Sequence, residues 1–126
     1  MRTLLISTLV AGVLVSTPVL AHHGSAAFDV GKKLELKGTV TEWVWGNPHC
    51  WLKFNVKNEK GETVTWVAET TNSADMVERG WSKQTFKFGD EVTVALEPVK
   101  SGQPVGRVIS VLLANGKTLG LNYVSR

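Results

Sequence analysis

In residues 49–57, Leu52, Phe54 and Val56 alternate with Trp51, Lys53, Asn55 and Lys57, the period-2 pattern of a half-buried β-strand. The pattern recurs on either side. Before it, Leu34, Leu36, Gly38 and Val40 share one parity in a long first strand running to about Trp45, and the glycine in that row marks a bend or bulge. Gly46-Asn47-Pro48 is a turn signal between the two strands. After residue 57, Asn58-Glu59-Lys60-Gly61 closes a hairpin, and residues 62–70 put Val64, Trp66 and Ala68 on one face of a third strand. A helix of about two turns follows, with Asn72 or Ser73 as its cap, Asp75 and Glu78 in its early turns and Gly80 at its end. A fourth strand is predicted over 91–97 and a fifth over about 106–113, separated by a loop from Pro98 to Pro104. Asn115-Gly116 is a tight-turn signal, with residues 117–121 as a short final strand.

A small sheet must protect its edges, and closing it into a barrel does so. Three strands, a short helix and two more strands is the order of the OB-fold. The expected fold is therefore mostly β: a small five-stranded OB-like Greek-key barrel over residues 32–126, with one short helix between strands 3 and 4. Another small β-barrel or a sandwich is the alternative.

The first residues have a different character. Met1-Arg2 gives a positive start, Leu4 to Val15 is apolar apart from Ser7, Thr8 and Gly12, and Pro18 precedes Val19-Leu20-Ala21. This is the pattern of a secretory signal peptide over residues 1–21, cleaved after Ala21. No other stretch approaches the roughly 20 apolar residues of a membrane span. The expectation is a soluble periplasmic protein. Residues 22–31, HHGSAAFDVG, would then form a leader with one apolar anchor, Phe28. The lone Cys50 has no partner for an internal disulfide and shares the inward parity of Leu52 and Phe54, so it is expected in the core. The formal charge of +3 is spread over interleaved basic and acidic residues, with no basic block, and nucleic acid is not expected as a partner.

The stretches HHGSAAFD, GTVTEWVWGNPHCWLKFNV, RGWSKQTFKFGDEVTV and LANGKTL resemble an uncharacterised family of small exported bacterial proteins, the domain of unknown function numbered 6152. The Asn-Pro-His turn at 47–49, Gly80-Trp81 and the pair His22-His23 are the specific pieces. The resemblance implies an exported bacterial protein, and brings no activity or catalytic residues.

Three histidines, His22, His23 and His49, are the suggestive chemistry. Cleavage after Ala21 makes His22 the N-terminal residue, whose amine and ring nitrogen can chelate one metal ion. A further imidazole completes a tetragonal nitrogen set, which suits Cu(II) best among common divalent ions. The arrangement resembles the histidine brace of copper oxygenases and copper-binding periplasmic proteins. His49 has the outward parity of Trp51 and Lys53, at a barrel end the leader can reach. Cleavage after Ala26, or a leader packed on the far side, would remove the idea. A blue-copper set with Cys50 is rejected because neighbouring strand residues point to opposite faces. No Cys-x-x-Cys, His-Glu-x-x-His, Gly-x-Ser-x-Gly or paired-carboxylate pattern is present, and no enzyme activity is expected. The expected function is an exported periplasmic binding module holding copper through His22, His23 and His49. The alternative is a metal-free interaction domain contacting a protein, peptide or envelope glycan through Trp45, Trp51 and Lys53. A copper-dependent redox enzyme is a third reading.

Overall fold

The structure of the protein is a computed structural model that describes residues 25–121. The apolar N-terminal run, His22 and His23 lie outside the described residues. A short 3-10 turn, Ser25–Ala27, precedes β1 (Leu34–Val44), β2 (Trp51–Lys57), β3 (Thr63–Glu69), α1 (Ser73–Glu78), β4 (Glu91–Pro98), β5 (Val105–Leu113) and β6 (Thr118–Gly120).

The hairpin read at Asn58–Gly61 forms, and β2 and β3 pair from Trp51 opposite Glu69 to Lys57 opposite Thr63. β1 is shared. Its first half pairs with β4, and its second half pairs with β2. β4 runs antiparallel to β5, and the start of β5 pairs in parallel with the end of β3 through Val67–Val105, Ala68–Gly106 and Glu69–Arg107. The circuit β1-β2-β3-β5-β4-β1 is thereby closed, which is the OB-fold barrel; β6 adds to the far end of β5. Two glycines make the closure possible. At Gly38, where β1 passes from one neighbour to the other, a Cβ would collide with the Asn55 carbonyl oxygen. At Gly106, on the closing seam, a Cβ would lie 2.6 Å from a Leu96 methyl and 2.9 Å from the Glu97 carbonyl oxygen.

The bulge foreseen near Gly38 falls slightly later. Val40 sits opposite Phe54 and Glu42 opposite Lys53, so Thr41 is an extra residue in β1. This insertion inverts the parity of the strand. Gly38 and Val40 face inward before it, and Trp43 and Trp45 pack against the core after it. Trp43 meets Trp81, Phe86 and Trp45 at ring distances of 6.1, 5.1 and 5.8 Å. Its indole N–H donates to the Ser82 carbonyl at 3.0 Å. Trp81 is 1% exposed and plugs this end of the barrel with Met76 of α1. Asn72 caps α1, its side-chain oxygen accepting from the Asp75 N–H at 2.9 Å, and Gly80 follows with φ +87°. Among the described residues no helix is long and apolar enough to cross a membrane.

Substituting Gly38→Ala tests the shared strand. The new methyl group must displace the Asn55 carbonyl, and the expected loss is about 1–3 kcal/mol. In a urea titration the midpoint should fall with an unchanged slope.

Candidate functional site

The outer face at the start of β2 gathers the polar chemistry. The loop leading into it is pinned by backbone. Ser73 N–H donates to the Gly46 carbonyl at 3.2 Å, Cys50 N–H to Thr71 at 3.0 Å, and Thr70 N–H back to Cys50 at 2.9 Å. These bonds extend the β2–β3 ladder past the ends of both strands. His49 is thereby held beside Thr70, with ring Nδ1 2.8 Å from the Thr70 carbonyl oxygen. A carbonyl can only accept, so Nδ1 carries the hydrogen in the neutral ring and the lone pair sits on Nε2. This is the way a second group orients a metal-ligating imidazole. The His49 ring also meets Trp51 edge-on, with centroids 6.0 Å apart.

From Trp51 the register gives a row across the closing seam. Trp51 is opposite Glu69, Glu69 is level with Arg107, and Arg107 is opposite Glu97. Arg107 donates to Glu97 at 3.0 Å, with both side chains less than one-fifth exposed. Glu69 has the outward parity of Trp51, yet it is only 6% exposed. A carboxylate so withdrawn from water needs close polar partners. The guanidinium of Arg107 also lies over the Phe28 ring, 5.0 Å from its centroid. Phe28 is 1% exposed and bridges to Val99, flanked by Asp29 N–H to Pro98 at 2.8 Å and Lys100 N–H to Ala27 at 2.9 Å. Residues 27–29 are therefore fastened to the end of β4, against this row.

The residues singled out in the sequence are distributed unevenly. His49 and Trp51 come together. Lys53 lies further along the same outer face, bound to Glu42 at 2.6 Å. Trp45 lies apart from them: beyond the Thr41 bulge it packs against the core and meets Trp43. Cys50 is fully buried, with its thiol 3.6 Å from the Gly46 carbonyl. Among the described residues no group of three His, Cys, Asp or Glu is placed to hold a metal. His22 and His23, the other donors of the expected copper set, lie outside the described residues. Arg107 was not singled out, because an arginine on an outward strand position has no distinguishing signal in the sequence.

The barrel topology and the small, pinned outer face define an OB-fold domain. Its sequence adds a family. The chain matches, over residues 11–108, a family of unknown function (DUF6152), and it belongs to that family. No curated protein matches its sequence. The similar solved structures include a crystal structure of a mitochondrial single-stranded DNA binding protein from S. cerevisiae, Rim1, at 12% identity and a TM-score of 0.50, covering 66% of this chain and 93% of that one. A selenomethionine-labelled structure of the same yeast protein aligns at 15% identity and a TM-score of 0.44, covering 65% of this chain and 92% of that one. At this level of identity the likeness concerns the fold.

The two ion pairs differ in setting, and their removal should differ in cost. Arg107→Met leaves Glu97 and Glu69 in a part-buried row without the guanidinium, and should cost about 2 kcal/mol or more. Lys53→Ala removes an exposed pair and should cost less than about 1 kcal/mol. Chemical denaturation of the two variants side by side checks the ordering.

Proposed function

We propose that the protein is an exported periplasmic binding module for a copper ion. In this reading the signal segment is removed after Ala21, and the amine and ring of the new terminal residue, His22, hold the ion together with the His49 imidazole. His23 is a further nitrogen donor. The protein binds, buffers or delivers the ion and performs no catalysis of its own.

The observation that carries the reading is the His49 ring. Its Nδ1 is committed to the Thr70 carbonyl, which fixes the tautomer with the metal-binding lone pair on Nε2. The path of the chain supports it. Phe28 is fastened beside Arg107, the 3-10 turn Ser25–Ala27 precedes it, and three further steps of chain, about 10 Å when extended, lead back to His22. Arg107 and Trp51 stand two strand spacings apart, about 10 Å, and His49 is two residues before Trp51. In this reading the terminal amine spans that separation to reach the imidazole. An amine with imidazoles is a nitrogen set that favours Cu(II) over the other divalent ions.

The competing reading, a metal-free interaction surface, keeps less support. Trp45 packs inward, which leaves Trp51 as the aromatic member of that surface, with Lys53 paired to Glu42 further along it. Nucleic acid is a poor match for the same reason, since a single-strand platform stacks successive bases on several aromatic rings.

Cu(II) titration of the processed protein tests the proposal. Micromolar or tighter binding is expected, with nitrogen coordination in the electron paramagnetic resonance spectrum and quenching of Trp51 fluorescence. His49→Ala, or one extra residue placed before His22, should weaken binding by about tenfold or more. Affinity no better than millimolar in correctly processed material sinks the copper reading and leaves the Trp51 surface in front.

A further inference from the structure

β6 is a short strand with a large load. It holds to β5 through Ser110–Gly120, Val111–Leu119 and Leu112–Thr118, with one further bond from the Leu121 N–H to the Ile109 carbonyl at 2.8 Å. Leu119 and Leu121 are buried in the core, and the Gly120 carbonyl accepts from the Trp81 indole N–H at 3.4 Å. β6 thus helps to hold the plug. Its register is set by the turn before it, over residues 114–117. There the Gly116 N–H donates to the Leu113 carbonyl at 3.0 Å and the Leu113 N–H to the Lys117 carbonyl at 2.9 Å. The Lys117 N–H donates to the Asn115 side-chain oxygen at 2.9 Å. Gly116 has φ +85°, a conformation that glycine takes without steric cost.

The residues that make this turn are also a reactive pair. Of the chain's asparagines, Asn115 is the one followed by glycine. With no side chain on Gly116, its amide nitrogen can reach the Asn115 Cγ. Once a hydroxide ion takes the amide proton, the nitrogen attacks, the N–Cγ bond forms, and the carboxamide nitrogen leaves as ammonia. Water then opens the resulting succinimide. Opening at the side-chain carbonyl gives aspartate, and opening at the main-chain carbonyl gives isoaspartate. One water is consumed, one ammonia is released, and nothing is oxidised or reduced. Crowding does not oppose the attack: both residues are exposed, and a Cβ built at Gly116 meets no atom within 4 Å. The turn itself opposes it. The Gly116 hydrogen is committed to Leu113 and the Asn115 carboxamide to Lys117, so the turn must open before the ring can close.

We propose that this turn is a one-way latch on β6, with Asn115 as its modification site. Closed, the turn withholds Asn115 from succinimide formation. Opened, it lets the ring close, and isoaspartate then routes the main chain through the former side chain, one carbon longer. Leu113 can no longer keep both of its turn partners, and Lys117 loses its side-chain acceptor. β6 slips from its register, and the burial of Leu119 and Leu121 and the bond to Trp81 go with it. The ammonia is lost, so the latch does not close again.

Parallel incubation of the folded protein and of the same chain unfolded in urea, in mildly alkaline buffer, tests the latch. Isoaspartate at position 115 is read by mass spectrometry with electron-transfer fragmentation. The unfolded chain should convert at the rate of a free peptide of the same sequence, and the folded protein at least about tenfold more slowly. In the purified isoaspartyl form, hydrogen exchange at the amides of residues 119–121 should be at least about tenfold faster than in the parent, while β2 and β3 stay protected. Asn115→Asp carries the same charge on a main chain of normal length, and should keep β6 within about twofold of the parent. Equal conversion in the folded and unfolded chains overturns the proposal. So does β6 protection that survives in the isoaspartyl form, an isoaspartyl form that loses β2 and β3 together with β6, or an equal loss of β6 protection in Asn115→Asp.

Discussion

β1 bonds to β4 with its first half and to β2 with its second, and the rest of the barrel hangs on that double service. The crossing happens at Gly38, where the missing side chain lets the Asn55 carbonyl approach the strand. Three residues later the Thr41 bulge re-aims everything that follows. Trp43 swings inward onto Trp81 and Phe86 and completes the plug under which α1 sits. Without the bulge, the same alternation would carry Trp43 and Trp45 to the solvent and leave that end of the barrel short of its largest rings. A close approach and a one-residue insertion thus divide the aromatic residues between inside and outside.

The outer face shows how a barrel this small treats charge. Exposed pairs such as Lys53–Glu42 stand in water and contribute little. The Glu69–Arg107–Glu97 row is different because it runs across the seam where β3 meets β5, and Phe28 packs against one end of it. Parallel pairing at this seam spans just three residue pairs. The guanidinium of Arg107 bridges from β5 to Glu97 on β4 while stacking on Phe28, and so links the closure of the barrel to the attachment of the segment before β1. The proposed site stands beside this row, with its imidazole oriented by the backbone.

Much of the architecture was legible in the chain. The strand order, the hairpin at 58–61, the cap at Asn72 and the inward place of Cys50 follow from period-2 alternation and turn chemistry, since each is a local property. The destination of Trp45 was not legible, because alternation extrapolates faithfully until a bulge inverts it, and Thr41 carries no mark of being the extra residue. Gly38 gave notice of an irregularity and misplaced it. The outward parity of His49 was readable; its bond to the Thr70 carbonyl was not, since it depends on two strand ends separated by 21 positions being brought level. The role of Arg107 was hidden for the same reason: its neighbours Glu69 and Phe28 come from β3 and from the segment before β1, which meet only in three dimensions.

His49 and Cys50 are consecutive in the chain and stand on opposite sides of the barrel wall. Sulfur is the softer donor and would compete strongly for a cuprous ion at the surface. Its confinement among Leu52, Phe54 and Met76 keeps the thiol off the outer face that carries the imidazole, so in the proposed reading it takes no part in that competition. The same confinement makes the sulfur a clock. A thiol-specific reagent reaches it when the wall opens, and the rate of its modification therefore counts openings of the barrel, one molecule at a time.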